Sequence, residues 1–463
     1  MTTIVAGIDS STQSTKIVRI DAETGQLLGT TSAPHPEGTA VNPERWWDAF
    51  QAAGGGDLGD VAALAVSAQQ HGMVALDAAD APVFDALLWN DTRSAPQAAR
   101  LADELGRDTW AREIGVVPVA SFTITKLAWL AEAHPELAAK VARVLLPHDW
   151  LTWRILGASA DPTTDRSDAS GTGYFSVPEG RYRTDLLELA LGHAAQLPTV
   201  LGPAEIAGRT AAGAVVGVGA GDNAGAALGL GLRPGEVAVS IGTSATVFTS
   251  TETQIVDPSG AIAGFADATG RQLPLLAMLN GARTLSATAG LLGVDLAEFD
   301  RLASAGDPGA AGLTLIPYLD GERTPNLPDA TGTLLGLRRD NMTPENLARA
   351  TVLGLLCGTA DALDALRAQG VAVDKVLLIG GGAQSATLQA AAADILGVPV
   401  EVPVTAEYVA LGAARQAAWA LAGGAEAPQW QRALARSFEP TGSGWASEIR
   451  VRYGTARGTL YGV

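Results

Sequence analysis

Four short stretches place carboxylates, hydroxyls and glycines where they could act on a small charged ligand. The first follows an apolar run and reads "IDSSTQSTK", from Ile8 to Lys16. Successive N–H groups and hydroxyls beside the Asp9 carboxylate can cradle a phosphate, while the carboxylate holds Mg²⁺ through water. The plainer reading is a hairpin in which Asp9 folds back onto its own backbone. The second stretch, "SIGTSAT", offers Gly242 and Thr243 in the same setting, so the two turns together could grip one polyphosphate. The third, "LIGGGAQSATLQ", sets Gly380, Gly381 and Gly382 between a strand and a helix. A flat base or ribose could approach that backbone closely, although an ordinary tight turn would also use glycine.

The fourth stretch, "VGAGDNAGAALG", carries Asp222 and Asn223 inside a run of glycine and alanine. A carboxylate held among small residues can take a proton from a hydroxyl nucleophile. It can equally cap the helix that follows. The same residues fit the loose dinucleotide fingerprint, which would make 212–236 a Rossmann-type oxidoreductase site with Glu236 on the ribose. That rival leaves the other two glycine turns and their duplication unexplained.

Alternating strands and helices must carry these turns. "IVAGIDSSTQSTKIVRIDAETGQLLGTTSA" predicts strand, turn, strand, turn, strand, and "EVAVSIGTSATVFTSTET" repeats the plan. Behind the first copy, helices are expected near 94–104, 122–134 and 149–156. Behind the second, they are expected at 343–369, 385–397 and 407–422, with "KVLLIGG" as a strand. Thr343-Pro344 is a good start for the long helix, a capping hydroxyl followed by proline in the first turn. Two related α/β domains are therefore expected, 1–231 and 232–463. The tail beyond about residue 424 gives little signal.

With 463 residues and 47% hydrophobic content, the chain can fill two cores. A formal charge of −18 argues against a nucleic-acid partner but leaves room for an anionic small ligand held by backbone N–H groups. One cysteine, Cys357, rules out an intrachain disulfide and suits a reducing cytoplasm. No signal peptide and no membrane span are expected. A homodimer is compatible with the composition, which does not fix the oligomeric state.

On these motifs the chain resembles the FGGY family of carbohydrate kinases. "GIDSSTQSTK" is similar to the family's first phosphate loop, "SIGTSAT" to its second and "GGGAQS" to its adenosine loop. "SFTITKLAWLAE" and "GTLLGLRRDNMTPENLARATV" resemble its two signatures, departing at Ala133 and Leu353. The resemblance implies the duplicated actin/hexokinase-like (ribonuclease H-like) α/β fold, with two domains around a central cleft. It implies ATP and Mg²⁺, with Ser11, Thr12, Gln13, Lys16, Gly242, Thr243, Gly381, Gly382 and Ser385 on the nucleotide. Asp9 would hold Mg²⁺ through water, with Asp222 as a second carboxylate to the ion. Gln70, His71, Trp89, Asp222 and Asn223 would contact a sugar, and Asp222 would be the general base. Glycerol kinases carry Arg-Glu where Gln70 and His71 stand, which argues against a triol substrate but not against gluconate or another pentulose. D-xylulose comes first, with gluconate or another pentulose as alternatives.

Overall fold

The computed structural model describes residues 2–463. The chain divides into two compact units. The first comprises residues up to Leu232 together with Gln254–Leu273 and Ala406–Gln431; the remainder forms the second.

The first unit is built on β1 (Ile4–Ser10), β2 (Ser14–Asp21), β3 (Leu27–Pro34), β4 (Ala63–Ala68), β5 (Ile206–Arg209) and β6 (Val215–Gly217). They lie in the order β5-β6-β4-β1-β2-β3. β1 runs antiparallel to β2 and parallel to β4, β2 is antiparallel to β3, β4 is parallel to β6, and β6 is antiparallel to β5. A short strand β7 (Ala220–Gly221) continues parallel to the end of β4.

β1 is buried on both faces, which suits its continuous apolar run. One face packs Ala6, Ile8, Ile17, Leu64 and Val66 with Trp46, Phe50, Trp150 and Leu151. Each fully buried aliphatic or aromatic side chain there contributes roughly 1.5–3 kcal/mol over exposure. The other face packs Val5, Val18, Ala63, Ala65 and Val215 against Ala410, Ala413, Ala414 and Ala417. Those alanines belong to the helix Tyr408–Ala422, which lies directly on β1. At Gly7 any Cβ would overlap the carbonyl of Ala410, so only glycine permits this approach.

The second unit repeats the plan with β8 (Glu236–Ile241), β9 (Ala245–Thr249), β10 (Gln272–Met278), β11 (Lys375–Ile379), β12 (Val400–Pro403) and β13 (Leu434–Phe438). The order β10-β9-β8-β11-β12-β13 reproduces β3-β2-β1-β4-β6-β5. The directions match as well, antiparallel twice, parallel twice, then antiparallel. This is the duplicated α/β plan that the repeated turns imply. Thr343 caps the helix Pro344–Ala368 by accepting from the Asn346 N–H at 3.2 Å, and Pro344 occupies the first turn. The tail, silent in the sequence, forms the edge strand β13 and the helix Gly444–Tyr461.

Candidate active site

Hairpin β1–β2 brings Asp9 opposite Lys16 in register. Asp9 is buried and its Oδ1 has no hydrogen-bond partner. Burial pushes its carboxyl up to about 7; the Lys16 charge opposes that shift, and the carboxylates of Asp222 and Glu407 reinforce it. Lys16 Nζ is paired with Glu407 at 2.6 Å, at the start of the helix on β1. The tip of the turn is more open: Gln13 is exposed, and Thr12 Oγ1 accepts from Trp89 Nε1 at 2.8 Å. Ser11 closes the turn through its N–H to the Ser14 carbonyl at 3.1 Å.

Asp222 is the first residue of the helix Asp222–Leu230, and Gly221 holds the cap position. Its Oδ1 accepts from the Asn223 backbone N–H at 2.7 Å and from Asn223 Nδ2 at 2.8 Å. Burial raises its carboxyl to about 6, against the lowering effect of those two bonds. The small residues after it serve packing: Gly225 meets Gly412 so closely that a Cβ on either would strike the opposite helix or the strand beside it. Before it, Gly219 has φ +88°, a left-handed conformation that L side chains rarely adopt.

Gln70 and His71 follow β4. Gln70 is buried; its Nε2 donates to the Ser167 carbonyl at 3.1 Å, while Oε1 lacks a partner. His71 adopts φ 70°, a strained backbone for a histidine and a feature that concentrates at functional sites. Its Nδ1–H donates to the Gly171 carbonyl at 2.8 Å, which leaves Nε2 in the acceptor tautomer. The ring sits between Phe122 and Phe265, at centroid distances of 4.9 and 5.5 Å. Asp9, Lys16, Gln70, His71, Trp89, Asp222 and Asn223 all belong to the first unit.

The second unit holds Gly242, Thr243, Gly381, Gly382 and Ser385 around one cavity of about 890 Å³. Gly242 and Thr243 form the tip of the β8–β9 hairpin, and Thr243 is exposed. Nothing lies within 4 Å of where a Gly381 side chain would project. Leu285, Leu296 and Phe299 supply an apolar wall, and Arg283 stands beside Thr243. Ser385 caps the helix Ala386–Leu396 and donates to Asp300 Oδ1 at 2.5 Å, so its hydroxyl is already engaged. The volume lies within the ~300–1,000 Å³ range of small-molecule sites. Glu407, Arg283 and Asp300 escaped the sequence reading, because nothing local to them marks a ligand.

The oxidoreductase alternative fails on this geometry. Glu236 is a buried residue of β8 in ion pairing with Arg432 at 2.8 Å, and the fingerprint residues belong to the other unit.

Two family models match the chain end to end of its duplicated core. Residues 4–229 match the N-terminal domain of the FGGY family of carbohydrate kinases, and residues 237–421 its C-terminal domain. The chain belongs to the FGGY family of carbohydrate kinases. As an FGGY kinase it is a phosphotransferase acting on a sugar, with ATP as donor. Among its relatives, the xylulose kinase of Streptomyces coelicolor is 45% identical over 450 residues, covering 93% of this chain and 91% of that protein. The xylulose kinase of Streptomyces rubiginosus is 44% identical over 456 residues, 94% and 92% of the two chains. The crystal structure of xylulose kinase from Bifidobacterium adolescentis superposes with a TM-score of 0.91 at 46% identity, covering 99% and 100%. No helix among the described residues is long and apolar enough to cross a membrane.

Proposed function

We propose that this FGGY kinase phosphorylates D-xylulose on O5, producing D-xylulose 5-phosphate, with Asp222 as general base. The observation that carries the chemistry is the raised, half-buried Asp222 carboxylate in the same unit as Gln70 and His71, whose acceptors suit sugar hydroxyls. The choice of sugar is supported by the two xylulose kinases at 44–45% identity over nearly the whole chain.

Phosphoryl transfer proceeds through a loose transition state, so the protein mainly positions reactants and neutralises charge. Gln70 Oε1 and His71 Nε2 accept hydrogen bonds from the ketose, and Asn223 Nδ2 steadies the base. Asp222 takes the O5 proton as the new bond to phosphorus forms. Its bonds from Asn223 occupy Oδ1, which leaves Oδ2 for the substrate proton. On the nucleotide side, the Gly242–Thr243 tip would receive phosphate oxygens, and the apolar wall beside Gly381 and Gly382 would receive adenosine. The β1–β2 turn would offer its N–H groups and hydroxyls to the terminal phosphate. Lys16 would reach that phosphate by leaving Glu407.

The orphaned, buried Asp9 Oδ1 fits a divalent cation, whose charge would also relieve its repulsion with Asp222 and Glu407. Asp9 would hold Mg²⁺ through water, with Asp222 as a further carboxylate to the same ion. Bound there, the ion would supply charge neutralisation on the phosphate oxygens.

ADP release measured over D-xylulose, L-ribulose, D-gluconate and glycerol tests the reading. The expected result is the highest kcat/KM on D-xylulose and none above background on glycerol. A preference for D-gluconate or L-ribulose would replace the substrate and leave the kinase chemistry in place.

A further inference from the structure

Beneath the Asp222 turn lies a group of charges that the proposed mechanism does not use. His148, Asp149 and Asp168 are fully buried. His148 Nε2 lies 2.8 Å from the Val218 carbonyl, and Nδ1 lies 3.0 Å from Asp168 Oδ2 and 3.1 Å from Asp149 Oδ1. Nε2–H donates to the Val218 carbonyl, and Nδ1 faces the two carboxylates. Burial alone would lower its pKa, yet the two carboxylates hold it well above the ordinary histidine value.

The carboxylates are fixed in turn. Asp149 Oδ2 accepts from the Leu146 N–H at 2.8 Å, and Asp165 caps the short helix that carries Asp168, accepting from the Ser167 and Asp168 N–H groups. That helix reaches the turn a second time, where Ser167 Oγ accepts from the Gly221 N–H at 3.1 Å. On the far side, Ser67 Oγ donates to the carbonyls of Ala220 and Gly221. A side chain on Gly219 would overlap the His148 ring, so the imidazole fills the space under the turn. The four residues before Asp222 are thus held at Val218, Ala220 and Gly221 by buried side chains.

We infer that His148, clamped between Asp149 and Asp168, acts with Ser167 as the positioning device that aims the Asp222 carboxylate. This rests on the reading of Asp222 as the base. It touches no reactant: His148 acts through the Val218 carbonyl, and Ser167 through the Gly221 N–H. A base displaced by about 1 Å loses on the order of 10²-fold in rate, whereas a structural residue alone would lower stability and leave kcat intact.

The test compares His148→Ala, Ser167→Ala, Asp222→Asn and the His148→Ala/Asp222→Asn pair, with folding checked by circular dichroism and sugar affinity by calorimetry. In His148→Ala kcat should fall by about 10²-fold, while the KM for ATP and the affinity for D-xylulose stay near wild type. Ser167→Ala should lower kcat by a smaller factor; it keeps the Ser167 carbonyl that holds Gln70, so sugar binding is spared. The double variant should be no slower than Asp222→Asn alone, since one residue works through the other. Wild-type kcat in folded His148→Ala, or an additive loss in the pair, overturns the inference. If His148→Ala does not fold, Ser167→Ala decides alone, and unchanged kcat overturns it. A fully active Asp222→Asn would remove the base itself, a separate result from an inactive Asp222→Asn beside an unaffected His148→Ala.

Discussion

Asp9 and Asp222 approach the same residue of the central sheet from opposite sides. Asp9 on β1 is registered against Ser67 of β4, and Ala220, two residues before Asp222, is registered against Ser67 from the other edge. Two carboxylates from distant parts of the chain thereby end at the same level of one sheet, and the charge of Asp222 raises the Asp9 pKa.

The first prediction isolates the base. Asp222→Asn keeps the side-chain oxygen that bonds Asn223 and removes the ionisable group. Turnover should fall by roughly 10²–10⁴-fold, with ATP affinity little changed. Steady-state kinetics on a variant of wild-type circular dichroism checks this, and wild-type turnover would falsify the assignment.

The pH dependence follows from the same carboxyl. Its value in the folded protein is about 6, raised from 3.8. A base must be ionised, so kcat/KM for the sugar should fall as pH drops through about 6 and should level off above it. For stability the sign is the reverse. The folded state holds this proton more tightly than the unfolded chain, so the ionised group costs stability above pH 6. Asp222→Asn should therefore melt above wild type at pH 8, and the gap should close between pH 6 and 4. Thermal melts across that range check it; a gap that widens towards pH 4 contradicts the raised value.

Mg²⁺ provides the test for Asp9. Asp9→Asn should raise the Mg²⁺ concentration needed for half-maximal activity and lower turnover, while D-xylulose binding without nucleotide stays near normal. A second readout needs no activity: the wild-type melting temperature should rise with Mg²⁺ more at pH 8 than at pH 6, because the ion competes with the proton at about pH 7. An Mg²⁺ titration identical in wild type and Asp9→Asn would reduce the turn to a hairpin.

His71 separates sugar recognition from core packing. His71→Ala should raise the KM for D-xylulose roughly three- to tenfold, the worth of about 1 kcal/mol for one hydrogen bond, and leave the KM for ATP near wild type. Calorimetry with the sugar alone gives the same comparison without turnover. Intact sugar affinity would make the ring a packing residue between Phe122 and Phe265.

Much of this arrangement is legible in the chain. The alternation of apolar runs with hydroxyl turns exposes both hairpins, and the repeated order of turns exposes the duplication. Thr343-Pro344 marks a helix start because capping chemistry is local. The tail is harder to read: the helix Gly444–Tyr461 buries only Ala446, Ile449 and Tyr453 and carries three glycines, so it has little apolar periodicity to detect. His148, Asp149 and Asp168 are hidden for a different reason. Charged residues in sequence suggest a wet surface, and only the meeting of the helix of His148 and Asp149 with the separate helix of Asp168 shows that these are buried and paired. Likewise, nothing in the alanine-rich sequence of 408–422 states which sheet it covers.

That last helix bears on how the protein is made. Residues 4–232 leave the ribosome with one face of their sheet, Val5, Ala63, Ala65 and Val215 among them, lacking the helix that covers it. The covering segment ends at Ala422, so 190 further residues must be translated first (422 − 232). At the usual ~5–20 residues per second, the bare face persists for about 10–40 s. The first unit therefore cannot finish folding until most of the second has been translated. During that interval the nascent chain presents a sticky surface to chaperones and to its neighbours on the same messenger, and a fragment ending near residue 232 inherits that surface permanently.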